Sequence, residues 1–123
     1  MPVRGIRGAI TVKQDEAEAI LAAARELLLA IQQANPALHP QDIASILFTA
    51  TPDLAAAFPA KAARQLGWDL VPVVDAQELP VPGSLPLCIR VLLHWNTGLP
   101  QSEIKHIYLG EAASLRPDLT RNQ

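Results

Sequence analysis

Apolar and polar positions alternate at the start of the chain, and this alternation predicts a β-strand over residues 3–12. Ile6, Ile10 and Val12 fall on one face of that strand, whereas Arg7 stands on the other. One face of the strand is therefore available to a hydrophobic core.

The apolar spacing changes at Ala17 to the i, i+3, i+4, i+7 period of an amphipathic helix. Asp15 as N-cap, followed three residues later by Glu18, predicts the start of this helix, and Asn35-Pro36 predicts its end. The apolar stripe consists of Ile20, Leu21, Ala24, Leu27, Leu28 and Ile31.

Short apolar runs separated by turn residues predict the remaining elements. A short helix over Ala60–Leu66 ends at Gly67, and a last turn lies around Glu111–Leu115. The further strands are Ser45–Ala50, Leu70–Val74, Leu87–Trp95 and Lys105–Leu109.

The strand Leu87–Trp95 is apolar on both faces, whereas one long helix covers only one face of a five-stranded sheet. Other copies of the chain are the economical cover for the second face. The pattern therefore predicts a closed cyclic oligomer.

Length and charge narrow the class of protein. With 123 residues the chain has the length of one domain, which we expect over residues 1–115, with a mobile tail at 116–123.

A formal net charge of -2 provides no basic field for nucleic acid or an anionic membrane. No apolar run reaches the roughly 18 residues of a membrane span, and the charged N-terminus is unlike a signal peptide. We expect a cytoplasmic protein.

Metal and cofactor chemistry lack sequence support. The histidines are far apart, and the single cysteine, Cys88, stands among apolar residues that predict its burial. The chain has no Ser-His-Asp order, no phosphate-binding glycine loop and no dinucleotide fingerprint. We expect neither a metal nor a cofactor.

Arginines on predicted strands are the main candidates for chemistry. Arg90 lies between Ile89 and Val91, so its guanidinium leaves the backbone in an apolar setting and needs an anion. Glu78 is the nearest candidate by sequence, and a purely structural Arg90–Glu78 pair is the alternative to a binding role. Arg7, between Gly5 and Gly8, has room to admit a planar anion or is simply an exposed strand arginine.

Other polar groups could join these arginines. Lys61 and Arg64 share a face of the short helix, Arg116 lies near the C-terminus, and Tyr108 offers a phenolic donor on the fifth strand. Taken alone, each cation is more typical of a solvated surface.

Five separated blocks of the sequence resemble the trimeric bacterial chorismate mutases, in order and at the family's spacing. They are Val3-Arg4-Gly5-Ile6-Arg7-Gly8-Ala9, Ala50-Thr51-Pro52-Asp53-Leu54, Phe58-Pro59-Ala60-Lys61-Ala62, Cys88-Ile89-Arg90-Val91 and Leu115-Arg116-Pro117-Asp118-Leu119. The resemblance implies an α/β (α+β) fold with a mixed five-stranded sheet, which trimerises around a β-barrel-like core. It also implies conversion of chorismate to prephenate, in phenylalanine and tyrosine biosynthesis, in clefts between subunits and without a cofactor.

The resemblance assigns a role to each candidate. Arg7 would bind a substrate carboxylate with Tyr108, Arg90 would reach the enolpyruvyl ether oxygen and its carboxylate, and Glu78 would accept a hydrogen bond from the ring hydroxyl. The remaining substrate contacts would be Phe58, Lys61 and Arg64 from the neighbouring subunit, Arg116 in the closing tail, and Ala60, Val74, Asp75 and Leu115.

Asp75 departs from the small neutral polar residue that the family usually carries near the substrate hydroxyl. A second acid beside a dianionic substrate is unfavourable. Either the Asp75 side chain points away and only its backbone serves the site, which we favour, or a nearby cation holds it.

Two alternatives from other classes remain open at this point. A non-catalytic trimeric sensor of a small dicarboxylate would use the same arginines without turnover. An enamine or imine hydrolase on a similar trimer would need a positioned water and an acid or base, for which Glu78 alone is thin support.

Overall fold

A computed structural model describes residues 1–115, so Arg116 and the predicted tail lie outside the described residues. One mixed sheet organises the chain, with strand order β3-β2-β4-β1-β5. Strand β4 pairs antiparallel with β1 and β2, whereas β5 is parallel to β1 and β3 is parallel to β2. The strands are β1 (Val3–Thr11), β2 (Ile43–Ala50), β3 (Val73–Gln77), β4 (Cys88–Asn96) and β5 (Ile107–Leu109), and the helices are α1 (Ala17–Ala34) and α2 (Lys61–Gln65). The predicted mixed five-stranded sheet with one long helix is confirmed.

Helix α1 covers one face of the sheet, which we call the helix face. Leu27 and Ile31 of α1 are fully buried and pack over Gly8 of β1, where no side chain separates the helix from the strand. The C-terminal end of α1 is tied down by Asn35, whose amide exchanges hydrogen bonds with the backbone of Lys105 at 3.0 Å. The predicted helix end at Asn35 is therefore confirmed.

The opposite face of the sheet, which we call the open face, carries the even-numbered residues of β4. In register across the sheet, Leu92 pairs with Arg7 on one side and Leu47 on the other. Three large apolar side chains remain exposed on this face: Val3 at 52%, Val74 at 62% and Leu92 at 38%. Exposed apolar side chains on one sheet face are typical of a surface that another chain covers.

Several predicted element ends differ from the structure, such as the start of β5 at Ile107 instead of Lys105, and two differences have identifiable reasons. The third strand runs over Val73–Gln77 rather than Leu70–Val74, because Leu70 is 97% exposed in a turn and pairing with β2 begins only after Pro72. Asp15 is not the N-cap of α1, which is Glu16. The Asp15 carboxylate instead accepts hydrogen bonds from the backbone N–H groups of Ala55 and Ala56 in a loop, both at 2.9 Å.

No helix in residues 1–115 is both long and apolar enough to cross a membrane.

The contact between α1 and β1 predicts a strong effect at Gly8. A Cβ there would lie 3.0 Å from Ile31 Cδ1 and Val91 Cγ1 and 3.1 Å from Leu27 Cδ1, whereas a Cβ at Gly5 would meet only Leu92 Cδ1, at 3.6 Å. We expect Gly8→Ala to lower the free energy of unfolding by about 1–3 kcal/mol through overpacking. The matched Gly5→Ala change should alter it by at most about 0.5 kcal/mol. Urea unfolding at equal protein concentration measures both, and equal stability of the two variants would contradict this packing.

Candidate active site

Three of the predicted site residues meet on the open face because their strands are adjacent. Ala9 of β1 pairs with Arg90 of β4 on one side and with Tyr108 of β5 on the other. Together with Arg7 and Leu115, Arg90 and Tyr108 line a cavity of about 200 Å³. Two cations and a phenol around one cavity form a site for an anionic molecule.

Arg90 is half-buried. Its side chain is 40% exposed where it lines the cavity, so the predicted apolar setting of the guanidinium holds only in part. Its Nε atom, however, is buried and has no hydrogen-bond partner. The nearest carboxylate oxygen, Glu78 Oε1, lies 3.7 Å from Nε, beyond hydrogen-bond distance. The Glu78 pair therefore does not satisfy Nε, and the exposed part of the Arg90 side chain lines the cavity, where a ligand can reach it.

Glu78 is held by the end of β2. Its backbone N–H donates to the Ala50 carbonyl at 2.9 Å, and its Oε1 accepts a hydrogen bond from the Thr49 hydroxyl at 2.5 Å. Thr49 is itself the register partner of Arg90 on β4. Thr49 was not among the predicted site residues, because its only signal is that pairing, which is known once the strand order is known.

The glycines that flank Arg7 have different roles. Gly5 shares the open face with Arg7, whereas Gly8 faces α1 and allows the helix to approach. Arg7 is exposed, and its backbone N–H donates to His106 Nδ1 at 2.9 Å. Gly8 also lines the Arg90 cavity and Gly5 does not, so the role of the two glycines in admitting an anion stays a prediction.

A second group of predicted residues lies apart from the Arg90 cavity. Phe58, which is 74% exposed, and Asp75 line a separate cavity of about 390 Å³. Lys61 and Arg64 are exposed on α2, and neither forms a salt bridge within residues 1–115. Within one copy of the chain, the structure does not bring these residues to Arg90.

The Asp75 side chain lies on the helix face. Asp75 is the register partner of the buried Phe48, and its Oδ1 accepts a hydrogen bond from the Ala60 N–H at 3.0 Å. Burial raises the pKa of this carboxyl above its usual value of 3.8, and the bond from Ala60 partly opposes the increase. The carboxyl thus points away from the face that carries Arg90, whereas the preceding residue, Val74, lies on the open face.

Cys88 is fully buried between β1 and the turn that follows β5. Burial raises the pKa of its thiol, and the charge and hydrogen bonding of Arg90 partly oppose this increase. In the part of the chain that the structure describes, no group of three or more His, Cys, Asp or Glu side chains is placed to hold a metal ion.

The environment of Asp75 predicts a pH-dependent contribution to stability. Because its pKa is raised in the folded state, its favourable contribution is complete below the unfolded-state value and is lost as pH increases through the raised value. The free energy of unfolding of wild type minus that of Asp75→Asn should therefore fall with increasing pH and then level off. Urea unfolding across a pH series measures this difference, with Asp69→Asn, at an exposed carboxylate, as the baseline for removing one charge. A difference that increases with pH would indicate a stabilising cation beside Asp75.

Comparison with known proteins agrees along nearly the whole chain. A family model described as chorismate mutase type I matches residues 3–119. A chorismate mutase from Thermus thermophilus is 56% identical over 121 residues, which cover 98% of this chain and 99% of that protein. A chorismate mutase from Bacillus subtilis is 49% identical over 121 residues, which cover 98% of this chain and 94% of that protein.

A solved structure gives the same result for the fold. The structure of a chorismate mutase from Clostridium thermocellum superposes with a TM-score of 0.87 at 46% sequence identity, over 89% of this chain and 97% of that one. On this agreement of sequence and fold, the chain belongs to the type I chorismate mutase family.

Proposed function

We propose that this chain, a chorismate mutase by its family, rearranges chorismate to prephenate in a cleft that two neighbouring copies of a homotrimer form. One observation carries the proposal: Arg7, Arg90 and Tyr108 converge on one cavity of a sheet face whose apolar side chains remain exposed. The family membership argues against the dicarboxylate sensor and the imine hydrolase. We place the reaction in phenylalanine and tyrosine biosynthesis in the cytoplasm.

The chemistry requires few groups. A [3,3] rearrangement breaks the ether C–O bond and forms a C–C bond within one molecule, so it needs no nucleophile and no proton transfer. The protein has to hold a compact, chair-like conformer and stabilise negative charge on the ether oxygen as that bond breaks. Holding the conformer lowers the entropic part of the barrier, and a fixed cation at the ether oxygen favours the transition state over the ground state.

The open face supplies suitable groups for these tasks. Arg90 would donate to the ether oxygen and to the side-chain carboxylate, since a planar guanidinium can hold two oxygen atoms at once. Arg7 and Tyr108, which line the same cavity, would bind that carboxylate from the other side. Glu78, fixed by Thr49, would accept from the ring hydroxyl.

A neighbouring copy would complete the site. Phe58 is exposed, Lys61 and Arg64 have no acidic partner in the described chain, and none of the three reaches the Arg90 cavity of its own copy. Packing of the exposed apolar side chains of the open face against another copy would bring these groups across. The two cations would then face the second, ring carboxylate of the substrate.

The remaining predicted contacts fit the same arrangement. Leu115 lines the Arg90 cavity, and Val74 is exposed on the open face. Asp75 would contribute its backbone only, because its carboxyl is bonded to the Ala60 N–H, and Ala60 stays a predicted contact. Arg116, which lies outside the described residues, would close over the ring carboxylate.

The role of Arg90 is tested by Arg90→Lys. Lysine keeps the charge but loses the planar fork, so we expect the variant to fold and assemble yet to lose turnover by at least about 10²–10³-fold. Arg4→Lys, at a β1 arginine that donates from Nε to the Leu99 carbonyl at 2.8 Å, is the matched control and should remain within a few-fold of wild type. Turnover number and Michaelis constant for chorismate, measured on protein of verified oligomeric state, give the result. Near-normal turnover of Arg90→Lys would show that Arg90 has only a structural role.

A further inference from the structure

The turn Thr51-Pro52-Asp53, which follows β2, is bonded to the start of β4. The Thr51 N–H donates to the Cys88 carbonyl at 3.0 Å, and the Cys88 N–H donates to Thr51 Oγ1 at 3.0 Å. Thr51 is buried, with 8% of its surface exposed. Its hydroxyl also donates to Asp53 Oδ1, so one side chain joins the turn to the first residue of β4.

Asp53 holds the residue just before β4. Its two carboxylate oxygens accept from the Leu87 N–H at 3.2 and 3.0 Å. On the other side of the same residue, the Leu87 carbonyl accepts from the Val12 N–H at 2.7 Å. Both backbone polar groups of Leu87 are thus bonded, one to the turn and one to the segment that follows β1.

Leu87 adopts a backbone conformation that side chains usually avoid. Its φ is +51°, and it is the only non-glycine residue with positive φ among residues 1–115. A left-handed leucine costs free energy and persists only where its surroundings impose it. The bonds to Asp53 and Val12 provide such surroundings, and they set the direction in which β4 begins.

Arg90 depends on that direction more than an ordinary strand residue does. It lies two residues after Cys88, and its buried Nε has no hydrogen-bond partner. The Cys88 thiol, with which Arg90 does interact, belongs to a residue whose backbone the turn holds, so the placement of the guanidinium depends on where β4 begins. The residue just before the turn also holds Glu78, because the Ala50 carbonyl accepts from the Glu78 N–H.

We propose that Thr51 and Asp53 are positioning residues for catalysis: they hold Leu87 in its left-handed conformation and thereby fix where Arg90 presents its guanidinium. The proposal rests on the role of Arg90 in the proposed function. It gives the Thr-Pro-Asp segment, which does not line the Arg90 cavity, a task in the reaction.

The test compares two threonines at opposite ends of β4. Thr51→Val removes the hydroxyl but keeps the shape. Thr97→Val is the matched control, because Thr97 is also 8% exposed and its Oγ1 also accepts a backbone N–H, from Leu99 at 3.3 Å, but it follows the far end of the strand. We expect Thr51→Val to lower kcat about tenfold, since small displacements of a reacting group are costly. Thr97→Val should keep kcat within about twofold of wild type at a similar loss of stability.

A double-mutant cycle shows whether the effect acts through Arg90. If Thr51 positions Arg90, Thr51→Val should lower kcat about tenfold in the wild-type background. In the Arg90→Lys background the same change should lower kcat by no more than about twofold. An equal loss in both backgrounds would overturn the positioning role while leaving the proposed function intact. Near-normal turnover of Arg90→Lys alone would overturn both.

Asp53→Ala gives a second route to the same answer. It removes an exposed carboxylate and leaves the Thr51–Cys88 backbone pair in place, so it remains usable if Thr51→Val fails to assemble. We expect Asp53→Ala to lower kcat, Asp53→Asn to restore most of it by offering an acceptor to Leu87, and the cycle with Arg90→Lys to be non-additive. The proposal is wrong if neither Asp53→Ala nor Thr51→Val loses more turnover than Thr97→Val.

Discussion

The rest of the site depends on one feature of the central strand, a desolvated guanidinium nitrogen. Arg90 Nε is buried without a hydrogen bond, and Glu78 is near enough to compensate charge but too far to bond to it. An unsatisfied buried donor is unfavourable, so any rearrangement that brings an oxygen of Glu78 or of a ligand within hydrogen-bond distance of Nε gains interaction energy. Catalysis by placement of charge requires such a group, because a donor already satisfied by the protein could not respond to the transition state.

Local patterns were sufficient for much of the fold and for the main candidates. The helical spacing from Ala17 and the apolar strand around Val91 determine which faces are buried. An error of one or two residues in a predicted boundary does not change which face that is. The short strand β3 was misplaced because it owes its position to pairing with β2 rather than to its own composition. Arg90, Arg7 and Tyr108 were identifiable because charged or phenolic groups on apolar strands are unusual, and the family resemblance gave them roles.

Contacts between distant segments could not be predicted in the same way. Thr49 is important only because β2 lies beside β4, and Leu87 shows no sign in the sequence of its left-handed backbone. Asp75 illustrates the same limit, since its two possible orientations were distinguished by register with Phe48 and by the bond from Ala60. Strand order and register, rather than composition, decide which polar side chains share a face.

The account is tested most directly by mixing two inactive variants, because its central claim is that two copies build one site around Arg90. Arg90→Ala damages the part of the site that the copy with the Arg90 cavity provides. The Lys61→Ala/Arg64→Ala double variant damages the part that the neighbouring copy provides. Random mixed trimers formed by joint refolding should regain about one quarter of wild-type activity, because a cyclic arrangement restores one complete site in each mixed trimer. Mixing Arg90→Ala with Glu78→Ala, which damage the same half, should restore none. Absence of recovery in the first mixture, with mixed trimers verified, would show that each copy contains its whole site and would contradict the account.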